Sequence, residues 1–242
     1  MLQPPEPSPQ EPSEARLTPL ERFSGSLGQR VYQTLREAIL SLAYRPGEIL
    51  RKPEICEALG VSRSPVADAV ARLATEGLVD VVPQAGTFVA RFSMEEIREG
   101  AFLREAIEVA AVERVAEAIT EDQLTQLRRN LTVQAALIAD GDVPGFYQMD
   151  AAMHELILSF TGFRRLAQVS ETAWLHVNRA RQLILPVPGR ISATLDEHRA
   201  ILTALEARDP AAARLATRHH LRQLITYLEP LERDRPDLFD PA

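Results

Sequence analysis

Between Pro53 and Glu76 two helical runs are separated by only a three-residue turn, and this closeness limits the fold more than any other feature of the chain. The first run, Pro53-Glu54-Ile55-Cys56-Glu57-Ala58-Leu59, has proline near its start and Gly60 just past its end, the asymmetry that marks helix boundaries. Val61-Ser62-Arg63 then makes the tight turn. Ser64 is a good N-cap, Pro65 suits the first helical position, and the second run lasts to Glu76 before Gly77 stops it. A longer helix comes first: residues 27–42 put Val31, Leu35, Ile39 and Leu42 at helical spacing, and Arg45-Pro46-Gly47 ends it. Val79–Val82 and Thr87–Ala90 read as short strands joined by the turn Pro83-Gln84-Ala85-Gly86.

From Met94 onward the pattern is helical only. Met94–Ile119 carries apolar residues at near-helical spacing. Thr120-Glu121-Asp122-Gln123 is a capping box that opens a second helix to about Asp140, where Gly141 ends it. Asp142 caps a third helix through Phe160, and Gly162 separates a fourth over about 163–185. Pro186-Val187-Pro188-Gly189 breaks the chain before a fifth helix, Ser192–Ala207. Asp209-Pro210 opens a sixth that is expected to reach about Leu228. Helices this close together form an antiparallel bundle. The expected fold is mainly α: an N-terminal winged helix-turn-helix over residues 25–92 and a C-terminal antiparallel bundle of six to seven helices over 93–229. Six of the first 19 residues are proline, so residues 1–24 are expected to be a disordered tail, and 230–242 a second tail.

The charge is uneven. The 242 residues carry a net charge of −7, but residues 28–92 hold eight basic against seven acidic side chains. The one segment that is not acidic is the place to look for a polyanion partner. The single cysteine, Cys56, excludes an intrachain disulfide and a CxxC site. The N-terminus does not read as a secretion signal, and no apolar stretch approaches the ~18 residues of a transmembrane helix, so the expectation is a cytoplasmic protein with no membrane partner.

In a winged helix-turn-helix the second helix of the pair fits the major groove of double-stranded DNA. Here Arg63 lies at its mouth, where a guanidinium reads guanine or holds a phosphate. Ser62 and Ser64 are candidates for phosphate contacts, and the hairpin tip at Gln84–Thr87, with Gly86 and Thr87, is the wing. The string VYQTLREAILSLAYRPGEIL, followed by EALGVSRSPVADAVARLATEGLV and GTFVA, resembles the N-terminal domain of the GntR family of bacterial transcription regulators over about residues 28–91. The family usually has arginine at the positions held here by Pro53 and Ala67, and a basic residue at Ala85. Arg63 is kept, and Arg51, Lys52 and Arg72 are partial substitutes. Each lost contact costs about 1–3 kcal/mol, so this chain either reads a different operator or binds weakly.

The bundle carries a second constellation. Asp150 and His154, four apart, share one helix face, while His198 and His220 lie on the fifth and sixth helices. Three imidazoles and a carboxylate from a bundle interior suit Zn²⁺ first, with Ni²⁺, Mn²⁺ or Fe²⁺ as alternatives. Taken alone, the Asp–His spacing also describes a surface ion pair. The strings DAAMHELI and EHRAILTALEARDPAAARLATRHHL resemble the FCD effector domain of the FadR branch of the same family, over about residues 94–228. The resemblance implies a metal held by Asp150, His154, His198 and His220, with His220 rather than His219 chosen by counting from the Asp-Pro cap. It implies a small organic acid as effector, anchored with the help of Arg104. Asn178 and Arg179, on the fourth helix, are further candidates for that pocket, solvent being their alternative. No catalytic motif stands out. The expectation is therefore an acid-responsive regulator, a repressor in the family's commoner sense, acting as a homodimer on a two-fold site and not as an enzyme. The alternative is a metal-dependent carboxylate-binding protein or enzyme whose DNA-binding head is weakened.

Overall fold

The computed structural model describes residues 16–166, 169 and 174–241, and it divides into two compact units. One is built from the N-terminal residues through Phe92 together with Asp237 onward; the other is Ser93–Pro236.

In the first unit, α1 (Leu27–Leu40) opens on a capping box in which the Ser26 hydroxyl accepts from the Gln29 amide and the Gln29 side chain accepts from the Ser26 amide. Its buried face carries Val31, Leu35 and Ile39. The short helix α2 (Lys52–Leu59) closes on Gly60 in the left-handed region. Helix α3 (Arg63–Thr75) starts two residues earlier than expected, with Ser62 and not Ser64 at the N-cap, and the Ser62 side chain makes no capping bond. The first-turn amides have no intrahelical partner, so Pro65 is tolerated anywhere in that turn and does not fix where the helix begins. Strands β1 (Val79–Val82) and β2 (Gly86–Val89) pair antiparallel, Val79 opposite Val89 and Val82 opposite Gly86. The other edge of β2 is taken by residues 47–50, through Gly47 N to Val89 O, Val89 N to Glu48 O and Leu50 N to Thr87 O, each 2.8 Å.

The described part of the expected N-terminal tail is packed. Residues 1–15 lie outside the described residues, but Leu17 and Leu20 are buried, Thr34 Oγ1 donates to the Thr18 carbonyl, and Arg16 pairs with Glu48 at 2.5 Å. Two leucines three apart supply the anchor that the proline count conceals.

The second unit is helical: α4 (Met94–Ala118), α5 (Glu121–Asp140), α6 (Val143–Phe160), α7 (Leu175–Ile184), α8 (Arg190–Glu206) and α9 (Pro210–Asp234). The expected breakers act as read. Thr120 and Gln123 form the capping box, Gly141 closes α5, Asp142 accepts from Gly145 N, and Asp209 accepts from Ala212 N. Part of the fourth expected helix, residues 167, 168 and 170–173, lies outside the described residues. Val112, Val115, Leu127, Met153, Ile157, Ile201 and Leu205 meet in the core.

The final segment departs from expectation. Helix α9 continues through Pro230 to Asp234, although proline forfeits one backbone bond there. Residues 237–240 then strap the first unit. Phe92 N donates to the Leu238 carbonyl (3.0 Å), Asp240 N to the Phe92 carbonyl (2.9 Å), and Arg91 Nε to the Asp237 carbonyl (3.1 Å). The Phe92 and Phe239 rings, both buried, lie 5.7 Å apart. Phe239→Ala removes a buried ring, which typically costs about 3 kcal/mol. We expect faster hydrogen exchange at the Phe92 amide and a less stable first unit, with no change in exchange across α5 and α6, read by mass spectrometry of peptides from each.

Candidate metal centre and reading head

Helix α6 puts Asp150 and His154 on a face it shares with Phe146, Met153 and Ile157, so both polar side chains go into the interior. Helix α8 buries His198 between Thr194 and Ile201, and α9 buries His220 beside Thr217 and Leu221. One ligand atom from each of Asp150, His154, His198 and His220 lies within 4.8 Å of the others, and all four residues are buried. His219, the other member of the doublet, is exposed.

Each imidazole is held from behind at Nδ1. His154 Nδ1 lies 2.6 Å from Glu108 Oε2, His220 Nδ1 2.7 Å from Glu197 Oε2, and His198 Nδ1 2.9 Å from Gln134 Oε1. The Nε2 atoms turn inward: those of His154 and His220 are 3.2 Å apart, and His198 Nε2 is 3.6 Å from Asp150 Oδ1. His198 Nε2 and Asp150 Oδ1 are buried without a hydrogen-bond partner. Such orphaned acceptors are costly unless something positive sits among them. With metal–nitrogen bonds of about 2.0–2.1 Å, two nitrogens at the His154–His220 spacing subtend roughly 100° at an ion. The donor set and its outer partners therefore fit a divalent transition metal.

The electrostatics are paired throughout. Arg104 Nε donates to Glu108 Oε1 at 2.5 Å, Arg190 grips both oxygens of Glu197 at 2.6 and 2.8 Å, and Arg181 is the ion-pair partner of Asp150. Burial alone would raise Glu108, but Arg104 and His154 outweigh it and hold the carboxyl well below the usual range. Burial likewise opposes Glu197, and hydrogen bonds from Arg190 and His220 bring it down to about 2. Burial pushes His220 down to about 3, against the pull of Glu197, and pushes His198 well below its ordinary value, with His220 and His154 adding to the effect. Burial lowers Arg181 to about 10, which leaves it charged at neutral pH.

Beside the cluster is a cavity of about 20 Å³ whose polar wall is Arg104, Asp150, Arg181, Arg190, Thr194 and His220. It has room for a water molecule but not for an organic acid without movement. Arg104 is in this wall, buried, 5.5 Å from the centre of the Trp174 ring. Asn178 and Arg179 are not. The Asn178 carbonyl accepts from Tyr147 Oη, and Arg179 lies two residues, about 200° around a helix, from Arg181. Arg181 and Arg190 take their place in the wall. Sequence reasoning also missed Glu108, Gln134 and Glu197 as partners of the histidines. The signal was present: Gln134 follows Leu124, Leu127 and Leu131 on the apolar register of α5, as Arg181 follows Val177 on α7.

In the first unit, Arg63 and Ser64 are exposed at the start of α3, next to exposed Ser62. Arg51 is exposed at the start of α2, 3.5 Å from Glu54, and Lys52 is half-buried. Arg72 is exposed on α3, 3.7 Å from the Tyr32 ring centre and 3.4 Å from Glu76. The Thr87 side chain instead faces the interior, because residues 87 and 89 are the inward positions of β2. Gly86 is half-buried at the hairpin tip, and Ala67 is exposed on α3.

Two family models match the chain, one described as bacterial regulatory proteins, gntR family, over residues 27–89, and one as FCD domain over residues 99–223. The HTH-type transcriptional repressor RspR of Escherichia coli K12 is 31% identical over 213 residues, covering 88% of this chain and 93% of that protein. An HTH-type transcriptional regulator from an unstable DNA locus of Streptomyces ambofaciens is 32% identical over 209 residues, covering 86% and 88%. Among solved structures, a putative GntR transcriptional regulator from Rhodococcus sp. RHA1 superposes with a TM-score of 0.74 at 26% identity, over 85% of this chain and 99% of that one.

The buried cluster sets the acid sensitivity of the metal-free protein. The folded values of His198, His220, Glu108 and Glu197 all lie below their ordinary ones, so the unfolded chain takes up protons first. Stability is therefore greatest above about pH 6.5 and falls as pH drops, first through the histidine range and then through the carboxylate range. Between pH 8 and 5 His220 removes about 2 kcal/mol, and His198 acts in the same direction. Urea titrations of chelator-treated protein at the two pH values should show the midpoint lower at pH 5.

Proposed function

The chain belongs to the GntR family of bacterial regulatory proteins and carries an FCD domain, and from that premise we propose that it is a metal-assisted, acid-responsive repressor. As a transcription regulator of this type it is not an enzyme. Residues 25–92 bind double-stranded operator DNA through Arg63, Ser62 and Ser64 at the start of α3, with Arg51 and Lys52 at α2 and Gly86 at the wing. A homodimer supplies two such heads to a two-fold site, because one small head makes too few contacts for a specific site. Its place of work is the cytoplasm, and no described helix is long and apolar enough to cross a membrane.

Residues 93–229 hold a divalent ion, Zn²⁺ first and Ni²⁺, Mn²⁺ or Fe²⁺ as alternatives, through Asp150, His154, His198 and His220. The observation that carries this reading is the convergence of those four ligand atoms within 4.8 Å, each imidazole oriented from behind. An ion held there offers coordination positions to an organic carboxylate. Charge balance supports that class of effector. Glu108, Asp150 and Glu197 are matched one for one by Arg104, Arg181 and Arg190, so a divalent ion leaves two positive charges uncompensated in a buried wall. A small acid supplies the counter-charge, with Arg104, Arg181 and Arg190 around it. It relieves repression by binding more tightly to the arrangement of the dimer that does not fit the operator.

Metal analysis after equilibrium dialysis against zinc should find about one ion per chain in the native protein and none in His154→Ala. Equal content in both would sink the assigned site. Genomic fragments selected on the purified protein and titrated by anisotropy at two salt concentrations should yield a defined fragment bound at nanomolar concentration. Arg63→Ala should weaken that binding by about 1–3 kcal/mol, whereas weak, sequence-blind binding lost at modest salt would mean that the head does not read DNA. The one tryptophan, Trp174, stacks near Arg104 and reports on the cavity, so carboxylic acids that bind the zinc-loaded protein should change its fluorescence saturably.

A further inference from the structure

The partner behind His198 differs in kind from those behind the other two histidines. Glu108 and Glu197 are carboxylates, each tied to an arginine, whereas Gln134 is a neutral amide. An amide is ambiguous, because its oxygen accepts and its nitrogen donates. What matters is therefore what holds Gln134 in one orientation.

The answer is a directional chain of hydrogen bonds that starts at a group that cannot flip. The Met149 backbone carbonyl can only accept. Asn130 Nδ2 donates to it at 2.9 Å, which leaves Asn130 Oδ1 free to accept. Gln134 Nε2 donates to Asn130 Oδ1 at 2.7 Å and lies 3.4 Å from the same Met149 carbonyl. With its nitrogen committed to two acceptors, Gln134 must turn its oxygen toward His198 Nδ1, 2.9 Å away. That oxygen requires a hydrogen on Nδ1, and a neutral imidazole with Nδ1–H carries its lone pair on Nε2, the atom that faces the cluster. The whole relay is internal: Gln134 and His198 are fully buried and Asn130 nearly so.

We infer that Gln134, oriented by Asn130 and the Met149 carbonyl, is a positioning residue that sets the tautomer of His198 so that Nε2 is available to a cation. The inference rests on the metal reading proposed above. The alternative tautomer has a ready acceptor, since Asp150 Oδ1 lies 3.6 Å from His198 Nε2 and has no other hydrogen-bond partner. Without the relay, His198 places its hydrogen on Nε2 and gives it to Asp150. Two ligands of the centre are then consumed by each other, and an incoming ion must first displace that hydrogen.

The test separates the relay from the metal. In chelator-treated protein labelled with 15N-histidine, long-range proton–nitrogen correlation distinguishes the two tautomers, and His198 is assigned by its loss in His198→Ala. Native protein should show the Nδ1–H form, and Gln134→Leu the Nε2–H form. An Nε2–H form in the native protein overturns the inference whether or not any variant folds. Zinc affinity, measured by competition with a chromophoric chelator, should fall about 10–100-fold in Gln134→Leu. It should fall less in Asn130→Ala, where Gln134 keeps the Met149 carbonyl. Native and Gln134→Leu proteins binding zinc equally tightly would overturn the relay and leave the metal reading standing. A native protein that binds no zinc would overturn the metal reading itself, and the tautomer spectrum would still show whether Gln134 governs His198.

Discussion

Taking the Asp150 carboxylate out of water, on a helix face otherwise given to Phe146 and Met153, obliges the domain to answer its charge from within. The answer comes from Arg181 on α7, which is itself buried and charged, and the obligation spreads. Arg104 needs Glu108 and Arg190 needs Glu197, and each of those carboxylates also holds a histidine. The polar interior thus draws on all six helices α4–α9, with α5 joining through Gln134. Removing one member of such a set leaves another charge buried and unmatched, which costs far more than the pair contributes to stability. A bundle that needed only to fold would be better served by leucine at these positions.

The same pairing explains why the site is tight. Guanidiniums and carboxylates in contact leave a space the size of a water molecule. An acid entering there, as the proposed effector, would have to take over one of these partners, and the helices bearing Arg104, Arg181 and Arg190 would have to move with it. Differential contact of that kind is the physical requirement for a ligand to shift a conformational equilibrium.

Much of this was legible in the chain. Gly60, Gly141, the Thr120–Gln123 box and the Asp142 and Asp209 caps act through backbone geometry local to a few residues, and local rules find them. The grouping of Asp150, His154, His198 and His220 followed from spacing joined to a family resemblance, and the structure brings the four together. The outer partners did not follow, because an inward-facing Gln134 or Arg181 says only that a polar group is buried, while what it meets depends on three helices at once. Thr87 was read as part of the wing tip, whereas alternation along β2 turns residues 87 and 89 inward and leaves Phe88 half-buried opposite Ile49. Phe239 was hidden among charges and prolines, where a single aromatic ring does not register as a pattern.

Residues 237–240 belong to the first unit in space but follow Arg91 by 146 positions in the chain. A ribosome adding roughly 5–20 residues per second delivers them on the order of ten seconds after the hairpin they complete. The unit that is begun first is therefore finished last. Throughout that interval the Phe92 ring lacks its cover and the Phe92 amide lacks its acceptor, while the whole helical domain is synthesised between the two halves of the contact. Domain order along the gene and order of completion are inverted, and the seal on the first unit forms only on chains whose helical domain has already been synthesised.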